Sequence, residues 1–354
     1  MPWQDMTRSR LSLALAAAAM AVTAARAAPA APDMTEFYTG RTVAFVIGVA
    51  DGAYARTIGR HMVRYVPGNP TVQFEEVTGD ASRKAAAALF GMAPGDGLTV
   101  GAILPQAIMD PLVDPPAGKP AYDPLKFEYL GSASSAVYVC IAEREAPAST
   151  FEQARKRPLI MGASRSGGPT RSEALMLMNL LGANFRLVPG YTGRDQILRA
   201  LTHGEVHGLC GYSWWELKRD RSDLLADNKV NLLLQFSLDG HRELDKLGVP
   251  HVWTYVKDAR DRAAFEVMAT GMLFARPFVA PPGTPRAQVN ALRVAFERTM
   301  RDVDFRADAH KNGLDITPTT GEVVQRLVEK LFKTPDDVLQ RLREARRMPP
   351  PGEG

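Results

Sequence analysis

The chain has little cysteine, little net charge and, past Asp33, no apolar run long enough to cross a membrane. Each scarcity removes a class of function. A formal charge of +4, spread along the chain instead of gathered on one face, gives neither a nucleic-acid footprint nor a polybasic membrane patch. Coupled nucleophile and base are missing too. Gly162-Ala163-Ser164-Arg165-Ser166 lacks the second glycine, two places after the serine, that a nucleophile elbow needs. His203 and His207 have the spacing of a zinc helix, but Gly204 and the strand pattern that follows argue against one helix carrying both. Asp336-Asp337 reads as the acidic start of a helix, and Tyr212, Trp214 and Trp215 read as packing for a second domain. No enzyme, cofactor or metal is expected.

The first 27 residues do not read as fold. Arg8 and Arg10 precede a short Ala-rich apolar run, and Ala25-Arg26-Ala27 fits the small-x-small site at which secretory signals are cut. The run falls short of the roughly 20 residues of a spanning helix, no cysteine follows it to carry a lipid, and Arg8-Ser9-Arg10 is not a twin-arginine pair. An exported, periplasmic chain cut near Ala27 is expected. Cutting removes Asp5, Arg8, Arg10 and Arg26 and leaves a formal charge of +2. In an exported chain the pair Cys140 and Cys210, in the strand-like segments 136–142 and 206–211, is most simply a disulfide. The alternative is two buried free thiols. A catalytic thiol has least support, because His207 and Cys210 would point to opposite faces of a strand.

Roughly 325 residues remain after cleavage, more than one usual core, and two domains are expected. Their organisation is clearest between Leu159 and Leu217, where two strand-loop-helix units lie end to end. The apolar run 159–161 ends in a Gly- and Ser-rich loop before a helix over 172–181, and the run 185–188 ends in 189–195 before a helix over 196–203. A strand over 206–209 follows. Nearer the start, strands over 42–47, 72–77 and 98–103 alternate with helices over 54–65 and 83–92, a βαβαβ order that implies right-handed crossovers and a parallel sheet. Toward the end, Pro285 precedes a helix over 287–300 whose buried stripe is Val289, Leu292, Ala295, Phe296 and Met300, and another helix covers 321–332.

Six short motifs occur in one order: Phe37-Tyr38-x-Gly40-Arg41-Thr42, Tyr54-Ala55-Arg56, Pro67-Gly68-Asn69-Pro70, Tyr122-Asp123-Pro124-x-Lys126-Phe127, Gly204-Glu205-Val206-x-Gly208-x-Cys210-Gly211-x-Ser213-Trp214 and Arg276 to Gly283. In this register the chain, from Phe37 to about Thr334, resembles the tripartite tricarboxylate transporter receptors, the Bug-type periplasmic binding proteins. The resemblance implies an α/β fold of two-lobed type II periplasmic-binding-protein architecture, with a ligand cleft between the lobes crossed by hinge strands near Gly131 and Gln235 to Leu238. Lobe one is then 36–131 with 238–347, lobe two 132–237, and 348–354 a disordered tail.

It also implies a site in which a small carboxylate is held by backbone N–H groups and small hydroxyls. The matching positions are Asp51 and Gly52; Gly79, Asp80, Ala81 and Ser82; Ser164, Arg165, Ser166, Gly167 and Thr170; and Tyr191, Thr192, Gly193 and Asp195. All four loops follow strands and open helices, where free N–H groups and the helix dipole favour an anion. Arg83, Arg165, Arg171 and Arg194 lie in or beside them. The chain departs from the family pattern at three places: the first loop is several residues shorter, Thr78-Gly79-Asp80-Ala81 stands for Pro-Gly-Ala-Gly and puts a carboxylate where an anion would arrive, and His207 replaces a usual Asp. The resemblance implies a receptor that hands a small organic acid, a di- or tricarboxylate or a relative, to integral-membrane permease subunits. Two alternatives stay open: a ligand-sensing extracytoplasmic partner that no longer feeds a transporter, and a secreted hydrolase on the same fold.

Overall fold

The computed structural model describes residues 33–49, 52–115, 117–118, 120–165 and 168–348. The expected signal segment, its cleavage site, Asp51, Ser166, Gly167 and the tail past Met348 lie outside the described residues.

Helix α1 (Met34–Tyr38) opens on Asp33, whose side chain accepts from the Thr35 N–H, and leads into β1 (Thr42–Ile47). The apolar, β-branched run of β1 pairs in parallel with β2 (Thr71–Glu76) on one side and β3 (Thr99–Ala102) on the other, as the βαβαβ pattern predicts. Between them lie α2 (Ala53–Met62), with Ile58 and Met62 wholly buried, and α3 (Arg83–Gly91). After α4 (Pro105–Val113) comes β4 (Glu128–Ser132). The sheet is completed from far along the chain by β10 (Pro277–Ala280) and β11 (Thr319–Thr320), giving the order β11-β4-β10-β3-β1-β2 with β10 antiparallel to β3 and β4.

The second sheet takes β5 (Tyr138–Glu143), β6 (Leu159–Ser164), β7 (Phe185–Tyr191), β8 (Gly208–Ser213) and β9 (Val230–Phe236) in the order β7-β6-β8-β5-β9. Its helices are α5 (Phe151–Ala154), α6 (Pro169–Leu181), α7 (Arg194–Thr202), α8 (Trp214–Asp220) and α9 (Ser222–Ala226). β6 runs parallel to β7 and β8, while β5 is antiparallel to β8 and β9. The expected disulfide is present: Cys140 of β5 is joined to Cys210 of β8, which neighbours it in the sheet.

The chain then continues through α10 (Arg242–Lys246) and α11 (Ala259–Met272) to β10. The segment after β9 stays in contact with the second sheet. Leu244 and Val249 pack in one cluster with Val139, Leu209 and Val230 of the second sheet, and Gln235 is fully buried, its amide bound to Asp245 and to the Val249 carbonyl. A buried amide satisfied by the segment that follows holds that segment on the same lobe. The two segments between the sheets, 133–136 and 272–276, are zipped by backbone bonds from Ala275 to Ser134, Ala133 to Arg276 and Ala136 to Met272.

Helix α12 (Arg286–Arg301) carries the expected buried stripe, and α13 (Val303–Lys311) is capped by Asp302, which accepts from the Phe305 N–H at 2.6 Å. α14 (Gly321–Leu331) packs on β4. The last helix, α15 (Asp336–Ala345), bridges the lobes. Arg343 donates to the carbonyls of Leu112 and Val113 at the end of α4, Arg346 pairs with Asp114 at 2.8 Å, and Asn179 of α6 donates to the carbonyls of Ala345 and Arg347. Among the described residues no helix is long and apolar enough to cross a membrane.

Candidate functional site

The two sheets face each other across a cleft whose walls are strand ends and helix starts. One cavity there, of about 460 Å³, is lined from the first lobe by Val49, Tyr54 and Asp315, from the second by Ser164, Thr170, Thr192, Gly193, Arg194, Ser213, Trp215, Glu216 and Arg219, and from the crossing segments by Ser134, Ser135, Tyr138 and Arg276.

Three helices of nine or more residues start at this cavity, and none has a side-chain cap. The N-cap positions of α2, α6 and α7 are Gly52, Gly168 and Gly193. The leading N–H groups of a helix have no partner inside it, so at α7, opened by glycine, they are left for an external acceptor; at α6 Pro169 has no N–H and Arg171 donates to the Gly168 carbonyl, which leaves the N–H of Thr170. At α6 the approach is fixed by Gly211 of β8. Its φ is +68°, and a Cβ there would stand 2.3 Å from the Pro169 carbonyl carbon. Glycine alone lets the first turn of α6 lie against the sheet. The Gly211 N–H in turn bonds Glu173, a carboxyl that burial raises well above its ordinary range.

The hydroxyls are ordered by short local bonds. Thr170 donates to Ser164 Oγ at 2.9 Å and accepts from the Ser164 N–H at 3.2 Å. Thr192 donates through both N–H and Oγ1 to Gln196, at 2.7 and 3.1 Å. Charge comes from three guanidiniums. Arg194 is bonded to Glu216, lies 3.8 Å from Asp220 and covers the Tyr212 ring. Arg276 lies over the Tyr54 ring, 3.8 Å from Glu216. Arg219 bonds Asp220 at 2.5 Å and reaches the first lobe at the Gly313 carbonyl, 2.7 Å away. Asp315 faces this group with its pKa raised by burial, an effect that His241, Lys218 and Arg276 oppose.

The residues singled out in the sequence divide into those the cavity gathers and those it leaves aside. Ser164, Thr170, Thr192 and Gly193 line it, and Gly52 opens α2 beside Ala53 and Tyr54. Tyr191 ends β7 without lining the cavity, Arg165 is exposed and donates to the Gly190 carbonyl, and Asp195 points to solvent with its side chain 81% exposed. The Gly79 to Ser82 loop is committed to its own structure. Ser82 Oγ donates to the Gly48 carbonyl at 2.9 Å and accepts from the Leu104 N–H at 3.0 Å, while Asp80 pairs with Arg83, which holds its pKa below the usual carboxylate range. Ala81 borders a different cavity. His207 accepts from the Ile160 N–H, and α7 ends at Thr202, so His203 and His207 share no helix.

Sequence reasoning missed the roles of Tyr54, Arg219, Arg276 and Asp315, and it read Trp215 as packing within the second lobe. Trp215 instead lines the cavity and donates across it to the Gly313 carbonyl at 3.3 Å. Tyr54 and Arg276 do occur in the matched motifs, which marked them without saying what they face.

No family model and no curated protein matches the chain. Solved structures do. A TctC solute-binding protein from Polaromonas, without ligand, superposes with a TM-score of 0.63 at 16% identity, over 86% of this chain and 100% of its own. The fold is that of the periplasmic binding proteins. BugD, a periplasmic binding protein, covers 87% of this chain and 98% of its own at a TM-score of 0.58 and 18% identity. MatC from Rhodopseudomonas palustris, with bound malate, does so over 87% and 99% at 0.57 and 19%. At these identities the likeness concerns architecture: two lobes, two mixed sheets and a cleft between them.

Proposed function

We propose that this chain is an exported receptor that captures a small organic acid in the cleft and presents it to the permease subunits of a tripartite tricarboxylate transporter. The observation that carries this reading is the meeting of the N-termini of α6 and α7 with Arg194 and Arg276 at one cavity, faced by Tyr54 of α2. A carboxylate there accepts backbone N–H bonds from the second lobe, each charge-assisted bond contributing about 1.5–3 kcal/mol, and meets Tyr54 of the first. Binding from both sides draws the lobes together about the zipped crossing segments. The malate in MatC supports a carboxylate as the ligand class, and the sequence supports export through the segment ending at Ala27. Among the described residues the cavity has guanidiniums, hydroxyls and N–H groups but no paired nucleophile and base, which favours capture over chemistry.

A thermal-shift screen of organic acids tests the reading: an acid at 100 times its Kd adds about 2.7 kcal/mol to stability. Calorimetry on Thr170→Ala and Gly193→Val then locates the site. Thr170→Ala weakens the best acid by about 1 kcal/mol. Gly193 has extended backbone, φ −177°, and open space where a Cβ would go. Gly193→Val therefore folds, sets two methyls in the cavity and weakens binding further. Unchanged affinity in both variants moves the site elsewhere.

A further inference from the structure

We propose that the acid this receptor takes carries one carboxylate and an apolar tail, with the tail in a second compartment of the same cleft. This rests on the receptor reading above and specifies its ligand. The second compartment measures about 470 Å³ and shares Leu104, Tyr138, Pro169, Ala275 and Arg276 with the polar cavity. Its far wall is built by Met109 and Val113 of α4 and by Met268 and Met272 of α11. Unbranched, polarisable methionines adapt to apolar ligands of varied shape.

Among the described residues, the charges lining this compartment already have partners. Arg83 is bound to Asp110 at 3.1 Å and Arg346 to Asp114 at 2.8 Å. Glu173, 4% exposed, has its pKa raised by burial and is bonded to the Gly211 N–H. At the polar end, Arg194, Arg219 and Arg276 already face Glu216 and Asp315, with Asp220 beside Arg194 and Arg219. The helix N-termini and this nearly balanced charge suit one carboxylate. A second carboxylate would lose its hydration among the methionines, where Arg83 and Arg346 are already paired with Asp110 and Asp114. Two abutting compartments, one rich in polar groups and one with a methionine wall, match an acid with a head and a tail.

Calorimetric titration of straight-chain monocarboxylates from acetate to octanoate, with adipate as the charged counterpart of hexanoate, tests the proposal on the full chain. Each added methylene tightens binding about fourfold until the compartment is full. Hexanoate binds at least tenfold tighter than adipate. Gly271 lies on α11 where a Cβ would meet Met109 at 3.4 Å, so Gly271→Leu fills the compartment. It erases the gain with chain length and leaves acetate unchanged, whereas Thr170→Ala weakens every length alike. Should Gly271→Leu fail to fold, Met268→Phe narrows the same compartment from the same helix and is read the same way. Affinity that is flat with chain length, or adipate tighter than hexanoate, overturns the proposal and leaves the receptor reading standing. Binding of no acid at all overturns both.

Discussion

The two lobes follow one strand plan and use it differently. Written from the edge, the first sheet runs β2-β1-β3-β10-β4-β11 and the second β7-β6-β8-β5-β9, each with an antiparallel strand in the fourth place, the first adding the short β11 at its far edge. Corresponding loops nevertheless have different fates. The loop after β7 supplies Thr192 and Gly193 to the polar cavity. Its counterpart after β2 is pinned by Ser82 and Arg83 and sits outside that cavity. A shared topology thus supplies strand ends and helix starts in pairs, and the side chains in the loops decide which of them a ligand meets. The second lobe holds most of the polar groups and is cross-linked; the first supplies a cover through Tyr54 and Asp315.

The largest test of this contrast is the cross-link. Reducing the disulfide, or replacing both cysteines by alanine, lowers stability by about 2–4 kcal/mol. Hydrogen exchange should show protection lost in β5 and β8 and kept in β1 and β3; equal loss in both sheets breaks the comparison. Next is Glu173, the buried carboxyl that fixes α6 to β8. Its folded pKa is raised, so the folded state holds a proton that the unfolded chain releases above about pH 4.3. The stability it contributes is therefore complete at low pH and falls as pH rises toward the folded pKa. Glu173→Gln should flatten that fall, giving a variant more stable than the parent at pH 8 in denaturant titrations; an unchanged slope shows that another group sets it.

A smaller effect comes from the loop after β2. Asp80, Ala81 and Ser82 all have positive φ, +52°, +50° and +69°. Ala81 has no side-chain polar group to offset that geometry, and Ala81→Gly should raise stability by about 1 kcal/mol, measured by thermal unfolding. Loss of stability would mean that the methyl matters more than the backbone. The smallest effect is expected for Asp80→Ala. The carboxylate is exposed and paired with Arg83, so stability should change by no more than about 0.5 kcal/mol and acid affinity by less than twofold. A tenfold change would bring this loop into the polar cavity and restore the symmetry of the two lobes.

Much of this was legible in the sequence because parallel strands buried on both faces read as short continuous apolar runs, and the loops after them stand out in Gly, Ser and Asp. The strand over 42–47 and the helices beginning near 286 and 321 fall where the periodicity puts them. α4 and α11 did not emerge, for a physical reason. α4 starts on Pro105 and contains Pro111, both of which read as breaks. α11 buries Ala264, Phe265, Val267, Ala269 and Met272 against α4, α14 and α15, so its apolar residues encircle it and leave no single stripe. With those two helices hidden, the apolar compartment between them was hidden as well. Arg276 was visible within a motif, but its place beside Tyr54 and Glu216 depends on the pairing of two crossing segments 140 residues apart, as in the bond from Ala133 to Arg276.

The bridge made by α15 also bears on the order of assembly. Every strand of both sheets precedes residue 336, so during synthesis each lobe has its full sequence before the bridge exists. Arg343 and Arg346 then dock on the end of α4, and the backbone around Ala345 docks on Asn179 of α6, two surfaces that must already be in register. Docking of α15 thus requires both lobes in place, and its protection from protease is expected only once both halves have folded.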